Sequence, residues 1–320
     1  MIKLGILGGA DIAYRMFMPA VNEMDNIICA GVASNNSERR KRFEEKYNVT
    51  TFNSYQEIIC NSEIDAVYIP LPPSEHYKWA KMALENNKHV FLEKPSTTSY
   101  ELSKDLVELS NKNNLVLHEN YMFQYHSQLD EINKIIESGV IGKVRLYRGS
   151  FGFPKRDKND FRYNKELGGG ALMDAGGYVT KLATLLLGKS IKVCAAQTQN
   201  DSDYSVDIFD SVLFKNDEGL TFQGSFGMDC HYKCELEVWG SKGRIQTGRI
   251  FTAPVGYVPS VIIEDNEGQR IVKLKDDCHF KHSIEHFCIA IDDNNEKEKL
   301  KESIILQAKL IETIKEKMGE

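Results

Sequence analysis

The first 120 residues alternate short apolar runs with amphipathic stretches, and this alternation constrains the fold more than any other feature. The runs "KLGILG", "IICAGVAS", "AVYIPL", "HVFLEK" and "LVLHENY" are rich in β-branched residues, and helical patterns at 11–24, 37–47, 74–86 and 99–113 separate them. Strands that alternate with helices form βαβ units, whose parallel sheet is covered on both faces. The pattern predicts a doubly wound α/β domain over 1–120.

A different pattern follows residue 120. Longer alternating runs appear, among them "KVRLYRGSFGF" and "SVLFKNDEGLTFQGSFG", with turn sequences such as "NDEG" and "SKG". Such turns suit tight reversals, so these strands are expected to form an antiparallel sheet. Helices are predicted at 126–138 and at about 166–187, and a last amphipathic helix at about 296–318. Residues 121–320 are therefore expected to form an α+β domain.

The charge balance and the apolar runs exclude several classes of partner. Lys and Arg total 40 against 46 Asp and Glu, a formal net charge of −6, which does not favour nucleic acid or an anionic membrane. The apolar runs are far shorter than the roughly 20 residues of a spanning helix, and the N-terminus enters a strand without a signal-peptide pattern. An odd number of cysteines, seven, fits free thiols. We expect a cytoplasmic protein.

Two clusters have the residue types of a metal site. His279, His282 and His286 would share one face of a helix, but apolar residues at core-facing spacing accompany them, which favours the polar side of an amphipathic helix. Cys230 and Cys234 lie in an expected strand, where residues four apart stand too far apart to share one zinc ion. No metal is predicted.

A loop of small residues follows the first strand in "GILGGADIAY". Small residues let the backbone approach a pyrophosphate, whose charge lies at the N-terminus of the following helix. The stretch departs from G-x-G-x-x-G, since Ala10 and Ala13 take the second and third places; a purely structural turn is the alternative. The predicted cofactor contacts here are Gly8, Gly9, Ala10, Asp11 and Ile12.

The end of the second strand decides which dinucleotide is favoured. NAD sites usually place a carboxylate there for the ribose 2′-hydroxyl, whereas this chain has Ser34 and Asn35, followed by Arg39 and Arg40. A hydroxyl and a guanidinium suit a 2′-phosphate. NADP(H) is therefore favoured and NAD(H) is possible; alternatively, the arginines only cover a solvated helix.

Two further strands end in "YIPLPPSEH" and "FLEKP". Ligands of open parallel sheets bind beyond the carboxyl ends of the strands, so Lys94 is expected to point into the cofactor cleft. The segment Pro70–Pro72, which includes Leu71, is expected at the same edge. His76 either faces the ligand or caps its helix after Ser74.

The segments "GGADIA", "YIPLPPSEHYKWAKMALENNKHVFLEKP" and "GGGALMDAGGY", with the two-domain layout, resemble the Gfo/Idh/MocA oxidoreductase family. The resemblance implies a Rossmann domain that binds a dinucleotide. It also implies a second domain whose large open sheet often mediates assembly into a homodimer or homotetramer. Lys94 matches the catalytic-site lysine of the family, and Pro95 the adjoining proline, commonly cis. Glu93 is expected to support Lys94 or the backbone, and the segment "ENYMFQYH", with Asn120 and Gln124, to lie near the nicotinamide.

The second family motif reads here Asp174, Ala175, Gly176, Gly177, Tyr178. Many members have histidine where this chain has Tyr178. With a tyrosine at this position, the chain resembles the glucose-fructose oxidoreductase, dihydrodiol dehydrogenase and keto-sugar reductase branches. For ketone reduction, the resemblance implies that the nicotinamide gives hydride, Tyr178 protonates the alkoxide, and Lys94 polarises the same oxygen and lowers the pKa of the phenol. Asp174 either lines the pocket or anchors the helix.

The loop "FPKRDKNDFRYNKELGGG" combines cationic and aromatic residues just before this motif. Such a surface suits a nucleotide sugar, and a solvated loop is the alternative. The predicted substrate contacts beside the catalytic residues are Tyr121, Phe153, Arg162 and Tyr163. The sequence favours a reductase of a nucleotide-linked keto-sugar over a free-sugar, polyol or dihydrodiol dehydrogenase; an NAD-dependent glycosidase and a non-catalytic regulator are alternatives of another class.

Overall fold

The computed structural model describes residues 1–201 and 203–319. Contacts divide them into two compact units. Unit 1 consists of Met1–Asn120 and Phe280–Ala308, and unit 2 of Tyr121–His279 and the stretch from Lys309 onward. Within the described ranges, none of the helices combines the length and the hydropathy needed to cross a bilayer.

Unit 1 is built on a parallel sheet of six strands. These strands are β1 (Ile2–Leu7), β2 (Ile27–Ala33), β3 (Thr51–Phe52), β4 (Ala66–Ile69), β5 (His89–Glu93) and β6 (Leu117–Asn120). Their order is β3-β2-β1-β4-β5-β6, that of a dinucleotide-binding fold, and it confirms the predicted doubly wound domain. The strand order reverses between β1 and β4, so the crevice for a ligand lies beyond the carboxyl ends of these strands.

The helices of unit 1 are a π-helical turn (Ala13–Phe17) leading into α1 (Met18–Asn22), then α2 (Ser37–Tyr47), α3 (Tyr55–Ile59), α4 (Pro73–Glu85) and α5 (Tyr100–Lys112). Three of them, α2, α3 and α5, begin at a residue whose side chain caps them. Asn36 accepts the Arg39 amide at the start of α2, and Ser99 caps α5 in the same way. The core between helices and sheet includes Leu7, Ile69, Leu92, Trp79 and Leu106. The sequence missed the short elements β3 and α3.

Unit 2 contains the second sheet. Its strands are β7 (Val144–Gly152), β8 (Lys192–Asn200), β9 (Asp207–Lys215), β10 (Thr221–Gly227), β11 (Lys233–Gly240), β12 (Gly243–Gly248), β13 (Ser260–Asp265) and β14 (Gly268–Lys273). The order is β14-β13-β12-β11-β7-β10-β9-β8, and neighbours are antiparallel except β7 and β10. This large, mostly antiparallel open sheet is the predicted one.

Two helices of unit 2 are α6 (Gln128–Glu137) and α7 (Gly177–Leu187). The continuous helix expected over 166–187 is instead a 3₁₀ turn (Lys165–Leu167), a π-helical turn (Leu172–Gly176) and α7. Gly168 and Gly170 have φ values of +79° and +115°, outside the α-helical region, so the chain cannot run as one helix through them.

The C-terminal helices are α8 (His279–Asp292) and α9 (Asn294–Met318). The sequence assigned both to the second domain, but residues 280–308 pack with unit 1. Phe287 meets the edge of Phe91 with ring centroids 5.3 Å apart, and Ile304 lies in the core of the parallel sheet. The apolar face that residues 280–308 present is thus packed within unit 1, which the amphipathic pattern alone cannot indicate.

Candidate active site

The loop after β1 is shaped by its glycines. Gly8 has a φ of +120°, and a Cβ there would lie 2.7 Å from Leu71 Cδ2. A Cβ on Gly9 would lie 2.7 Å from the Cβ of Arg39. Side chains would therefore fill the turn through which backbone amides reach a bound pyrophosphate, so the loop fits a dinucleotide. Ala10 follows in the loop and Ile12 lies at the start of the helix; both are half-buried.

Arg42 of α2 braces this loop, a role that the sequence did not indicate. Its guanidinium donates to the Gly9 carbonyl and to Asp11 Oδ1, both at 2.6 Å. The hydrogen bond from Arg42 lowers the pKa of the Asp11 carboxyl. Asp11 thus meets an opposite charge within the protein. Arg42 lies in the run "RRKR", whose charge pattern cannot tell which arginine turns toward the loop.

Some of the residues that follow β2 make hydrogen bonds within the protein, and others are exposed. The Ser34 hydroxyl is buried and accepts the Asn36 amide at 3.2 Å. The Arg40 guanidinium donates to the Ser34 carbonyl. Asn35 and Arg39 are exposed. Of the two predicted arginines, Arg39 is therefore the one placed to meet an additional anion.

Lys94 directly follows β5, and its peptide bond with Pro95 is cis, as the resemblance implied. The preceding Glu93 is buried, and its Oε1 accepts hydrogen bonds from the Tyr68 hydroxyl at 2.7 Å and from Asn120 Nδ2 at 2.8 Å. Burial raises the pKa of the Glu93 carboxyl, while these donors and the Lys94 ammonium act in the opposite direction. Asn120, predicted to contact the cofactor, places its amide nitrogen on Glu93.

His76 joins the loops that follow β4 and β5. Its Nδ1 lies 2.8 Å from the Pro95 carbonyl oxygen and its Nε2 lies 2.7 Å from that of Leu71. The ring is fully buried, and burial lowers the pKa of His76 to about 4. It does not cap α4, which begins after Pro72 without a side-chain cap. Both ring nitrogens contact backbone carbonyl oxygens, so His76 links the two loops and has a structural role.

In unit 2, Tyr178 stands at the start of α7 in aromatic surroundings. Its side chain is 6% exposed, and its hydroxyl donates to Met122 Sδ at 3.6 Å. Rings with centroids 5.3–5.9 Å from that of Tyr178 belong to Tyr121, Phe123, Phe151 and Phe251. A thioether is a weak hydrogen-bond acceptor. The aromatic residues come from three separate segments, and the sequence identified only Tyr121.

The backbone before Tyr178 packs too closely for side chains. A Cβ on Gly176 would lie 2.5 Å from Phe226 Cε2, and one on Gly177 would lie 2.1 Å from the Tyr121 hydroxyl oxygen. Asp207 Oδ2 accepts the Leu172 amide at 2.6 Å, which fixes the start of the π-helical turn. Such turns frequently occur at functional sites. Because a Cβ would clash at both Gly176 and Gly177, the glycines of the motif are required for packing around Tyr178.

Gly176→Ala is expected to lower both stability and turnover, because the added methyl group must displace the buried Phe226 ring. Overpacking of this kind costs about 1–3 kcal/mol, and movement of α7 would shift Tyr178. Thermal unfolding and kcat measure the two effects. Gly248→Ala is the matched control, since a Cβ there meets nothing within 4 Å. Equal behaviour of the two variants would contradict the packing argument.

Asp174 and Arg162 form an ion pair in unit 2. Arg162 Nε donates to Asp174 Oδ2 at 2.6 Å, and its Nη1 donates to Asp160 Oδ1 at 3.1 Å. The side chains of Arg162 and Asp174 are 21% and 12% exposed. Arg162, predicted to bind substrate, thus has its charge matched by two carboxylates. The pair connects the preceding loop to the helical motif, which favours an anchoring role for Asp174.

The remaining predicted substrate residues, Phe153 and Tyr163, contact residues of their own loop and of other parts of unit 2. The Tyr163 hydroxyl accepts the Arg156 amide at 3.0 Å and lies 3.3 Å from the Met228 carbonyl oxygen. The Tyr163 ring stacks on Tyr204 with centroids 4.6 Å apart. Phe153 is buried, with the Arg156 guanidinium 5.1 Å from its ring. Gln124 is half-buried.

Comparison with known proteins supports this description of both units. Residues 2–121 match the family described as "Oxidoreductase family, NAD-binding Rossmann fold", and residues 129–246 match the GFO/IDH/MocA C-terminal domain. The chain is 34% identical over 319 residues to a dTDP-3,4-didehydro-2,6-dideoxy-alpha-D-glucose 3-reductase of Saccharopolyspora spinosa, covering 98% of this chain and 96% of that protein.

Two further similarities are informative. The D-xylose 1-dehydrogenase (NADP(+)) 2 of Haloferax volcanii is 29% identical and covers 78% of this chain and 77% of its own length. The crystal structure of KijD10, a 3-ketoreductase from Actinomadura kijaniata in complex with NADP and TDP-benzene, superposes with a TM-score of 0.95. Its sequence identity is 33%, covering 99% of this chain and 98% of that chain. The chain thus belongs to the Gfo/Idh/MocA oxidoreductase family, as its motifs predicted.

Proposed function

We propose that this protein is an NADP(H)-dependent reductase of a nucleotide-linked keto-sugar, in which Tyr178 is the acid and Lys94 its electrostatic partner. The observation that carries the proposal is the phenol of Tyr178, 6% exposed at the head of α7 and enclosed by aromatic rings. In low-dielectric surroundings, proton donation and charge stabilisation are more effective than in water.

Each group has a distinct task in this proposal. NADP(H), when bound, supplies the hydride that reduces the carbonyl carbon. The Gly8–Gly9 turn accommodates the pyrophosphate, and Arg39 pairs with the 2′-phosphate. Tyr178 gives its hydroxyl proton to the oxygen of the reduced carbonyl, and the Lys94 ammonium stabilises the negative charge that develops on that oxygen.

The relatives support this choice of substrate class and of residues. The Saccharopolyspora spinosa enzyme acts as a 3-reductase of a dTDP-linked sugar, and the Actinomadura kijaniata 3-ketoreductase binds NADP and TDP-benzene. Structures of the latter include variants of one tyrosine and of one lysine. Those two positions are separated by as many residues as Lys94 and Tyr178 are here.

Cofactor preference gives a first test. Titration of the purified protein, followed by nicotinamide fluorescence, should show tighter binding of NADPH than of NADH. Arg39→Ala should weaken NADPH binding about tenfold or more, because a charge-assisted contact to the 2′-phosphate is lost, and leave NADH binding unchanged. Lys41→Ala, on the exposed side of the same helix, is the control. An equal loss for both dinucleotides in Arg39→Ala would contradict a role at the 2′-phosphate.

The activity itself is tested with substrates of different classes. A TDP-linked 3-keto-sugar should be reduced with NADPH, and the rate is read from NADPH absorbance. D-xylose with NADP⁺ tests the free-sugar dehydrogenase, which the similarity to the Haloferax volcanii enzyme makes the second candidate. Faster turnover of the free sugar would replace the proposal with that candidate. Cleavage of a glycoside without net NADPH consumption would point to the glycosidase.

The subunit arrangement is part of the proposal. The outward face of the unit 2 sheet carries two large exposed apolar side chains: Trp239 is 52% and Ile271 65% exposed. Exposed apolar side chains on an open sheet favour contact with another protein surface. We therefore retain the homodimer or homotetramer that the family resemblance implied, with this face as its interface.

A further inference from the structure

A buried hydrogen-bond chain in unit 1 leads from α8 to the residue before Lys94. His118 Nε2 lies 3.0 Å from Ser283 Oγ, and Ser283 Oγ lies 2.8 Å from Asn120 Oδ1. Asn120 Nδ2 lies 2.8 Å from Glu93 Oε1, which the Tyr68 hydroxyl also reaches at 2.7 Å. The side chains of His118, Ser283 and Asn120 are fully buried. Ser283 and Asn120 are 163 residues apart in sequence. Their hydrogen bond therefore links α8 to the end of β5, where Glu93 precedes Lys94.

The direction of the donors in this chain is determined by chemistry. Ser283 has a single hydroxyl hydrogen, which it donates to Asn120 Oδ1. His118 Nε2 must then carry the hydrogen that faces Ser283 Oγ. The amide of Asn120 in turn donates to Glu93. Every donor thus points toward the Glu93 carboxylate, and donors aligned in one direction polarise and strengthen one another.

Glu93 transmits this arrangement to Lys94. The Glu93 carboxyl accepts the backbone amide of Lys94, and the Lys94 ammonium stabilises its negative charge. Burial alone favours the neutral carboxyl and raises the pKa of Glu93, so its ionised form depends on these donors. Loss of any donor is expected to weaken both the charge of Glu93 and its hold on Lys94.

We propose that Ser283 is a positioning residue for the reaction, which acts through Asn120 and Glu93 to hold Lys94 in its working conformation. This inference rests on the proposed role of Lys94. The residues of this hydrogen-bond chain have other titratable or charged groups of unit 1 near them. These are Tyr68, Lys94, Glu119, His76, His282, Glu285, His286 and Glu296. Glu119 accepts the Ser96 amide, and His286 pairs with Glu296. Replacement of Ser283 alters none of these charges directly.

Ser283→Ala tests the proposal, and Ser110→Ala is its matched control. Ser110 is equally buried in unit 1, but it donates to the Val107 carbonyl in α5 and takes no part in the chain. The first measurement is the pH at which Glu93 takes up a proton, followed by the infrared band of a protonated carboxyl that Glu93→Gln removes. The second is kcat and KM for the keto-sugar across pH.

In Ser283→Ala, the protonation midpoint of Glu93 should rise by about 0.5–1 pH unit, because Asn120 loses the hydrogen bond that orients its amide as a donor to the ionised Glu93. kcat should fall several-fold near neutral pH, and the acidic limb of its pH profile should move up by a similar amount. KM and thermal stability should follow Ser110→Ala. A protonation midpoint equal to that of the control would overturn the proposal, and so would a shifted midpoint with unchanged kcat and pH profile.

The infrared comparison does not depend on turnover. If the wild-type protein failed to reduce any keto-sugar, the proposed function would fall, and with it the role of Ser283 in that reaction. The midpoint would then still decide whether Ser283 controls the charge of Glu93. The two failures are therefore distinguishable.

Discussion

Tyr178→Phe should lower kcat for keto-sugar reduction by about two orders of magnitude or more. The variant keeps the ring, and with it the packing against Phe151 and Phe251, but loses the only proton that the side chain can give. A positioned general acid contributes typically 10²–10⁴-fold to the rate. Initial rates of NADPH oxidation measure the loss, and NADPH binding should be unchanged because the phosphate loop is untouched.

Tyr147→Phe is the control for this experiment. Tyr147 is a buried tyrosine of β7 in the same unit, and the change removes the same atom. Its kcat should stay near that of the wild type. Full turnover in Tyr178→Phe, with the control equally active, would show that another group or solvent delivers the proton.

Lys94→Met should cost about 10²–10³-fold in kcat. The replacement has a similar length and no charge, so the negative charge that develops on the substrate oxygen loses its cationic partner. Removal of one oxyanion-stabilising group in other enzymes has an effect of this size. The loss should appear in kcat more than in KM, since the interaction strengthens as the charge forms.

Lys88→Met separates this effect from the loss of a lysine ammonium as such. Lys88 lies just before the same strand, is 7% exposed, and donates to the carbonyls of Asn61 and Ile64 at 2.8 and 2.6 Å. Its replacement should lower the melting temperature because it leaves these carbonyls without the ammonium, while kcat remains close to wild type. If both lysine variants lost turnover equally, the role of Lys94 would reduce to stability.

The secondary structure of unit 1 could be predicted because its signals are local. The β-branched runs, the amphipathic stretches and caps such as Asn36 lie within a few residues of the elements they specify. Short elements such as β3 and α3 escaped, since a strand of two residues has no period to detect. The interrupted start of α7 escaped because the glycines before it permit conformations that the helical pattern does not reveal.

The features of the candidate site also fall into two groups: those that a local sequence pattern predicts and those that only the structure shows. The glycine turn at Gly8 and the motif that ends in Tyr178 stand out in the sequence as short, contiguous patterns. The bracing of Gly9 by Arg42, the tie of His76 to two loops and the pairing of Asp174 with Arg162 do not. Each joins groups whose chemistry allows many partners, so composition and spacing cannot select the one that forms.

The sequence by itself determined the order of the longer elements, the parallel sheet of unit 1, the mostly antiparallel sheet of unit 2 and the family. These follow from periodicity and from residues whose backbone preferences act over a few positions. Only the tertiary structure decided that residues 280–308 belong with unit 1, and that Ser283 lies within hydrogen-bond distance of Asn120. A hydrogen bond between distant segments depends on how whole helices pack, and packing is the sum of many contacts that no local pattern records.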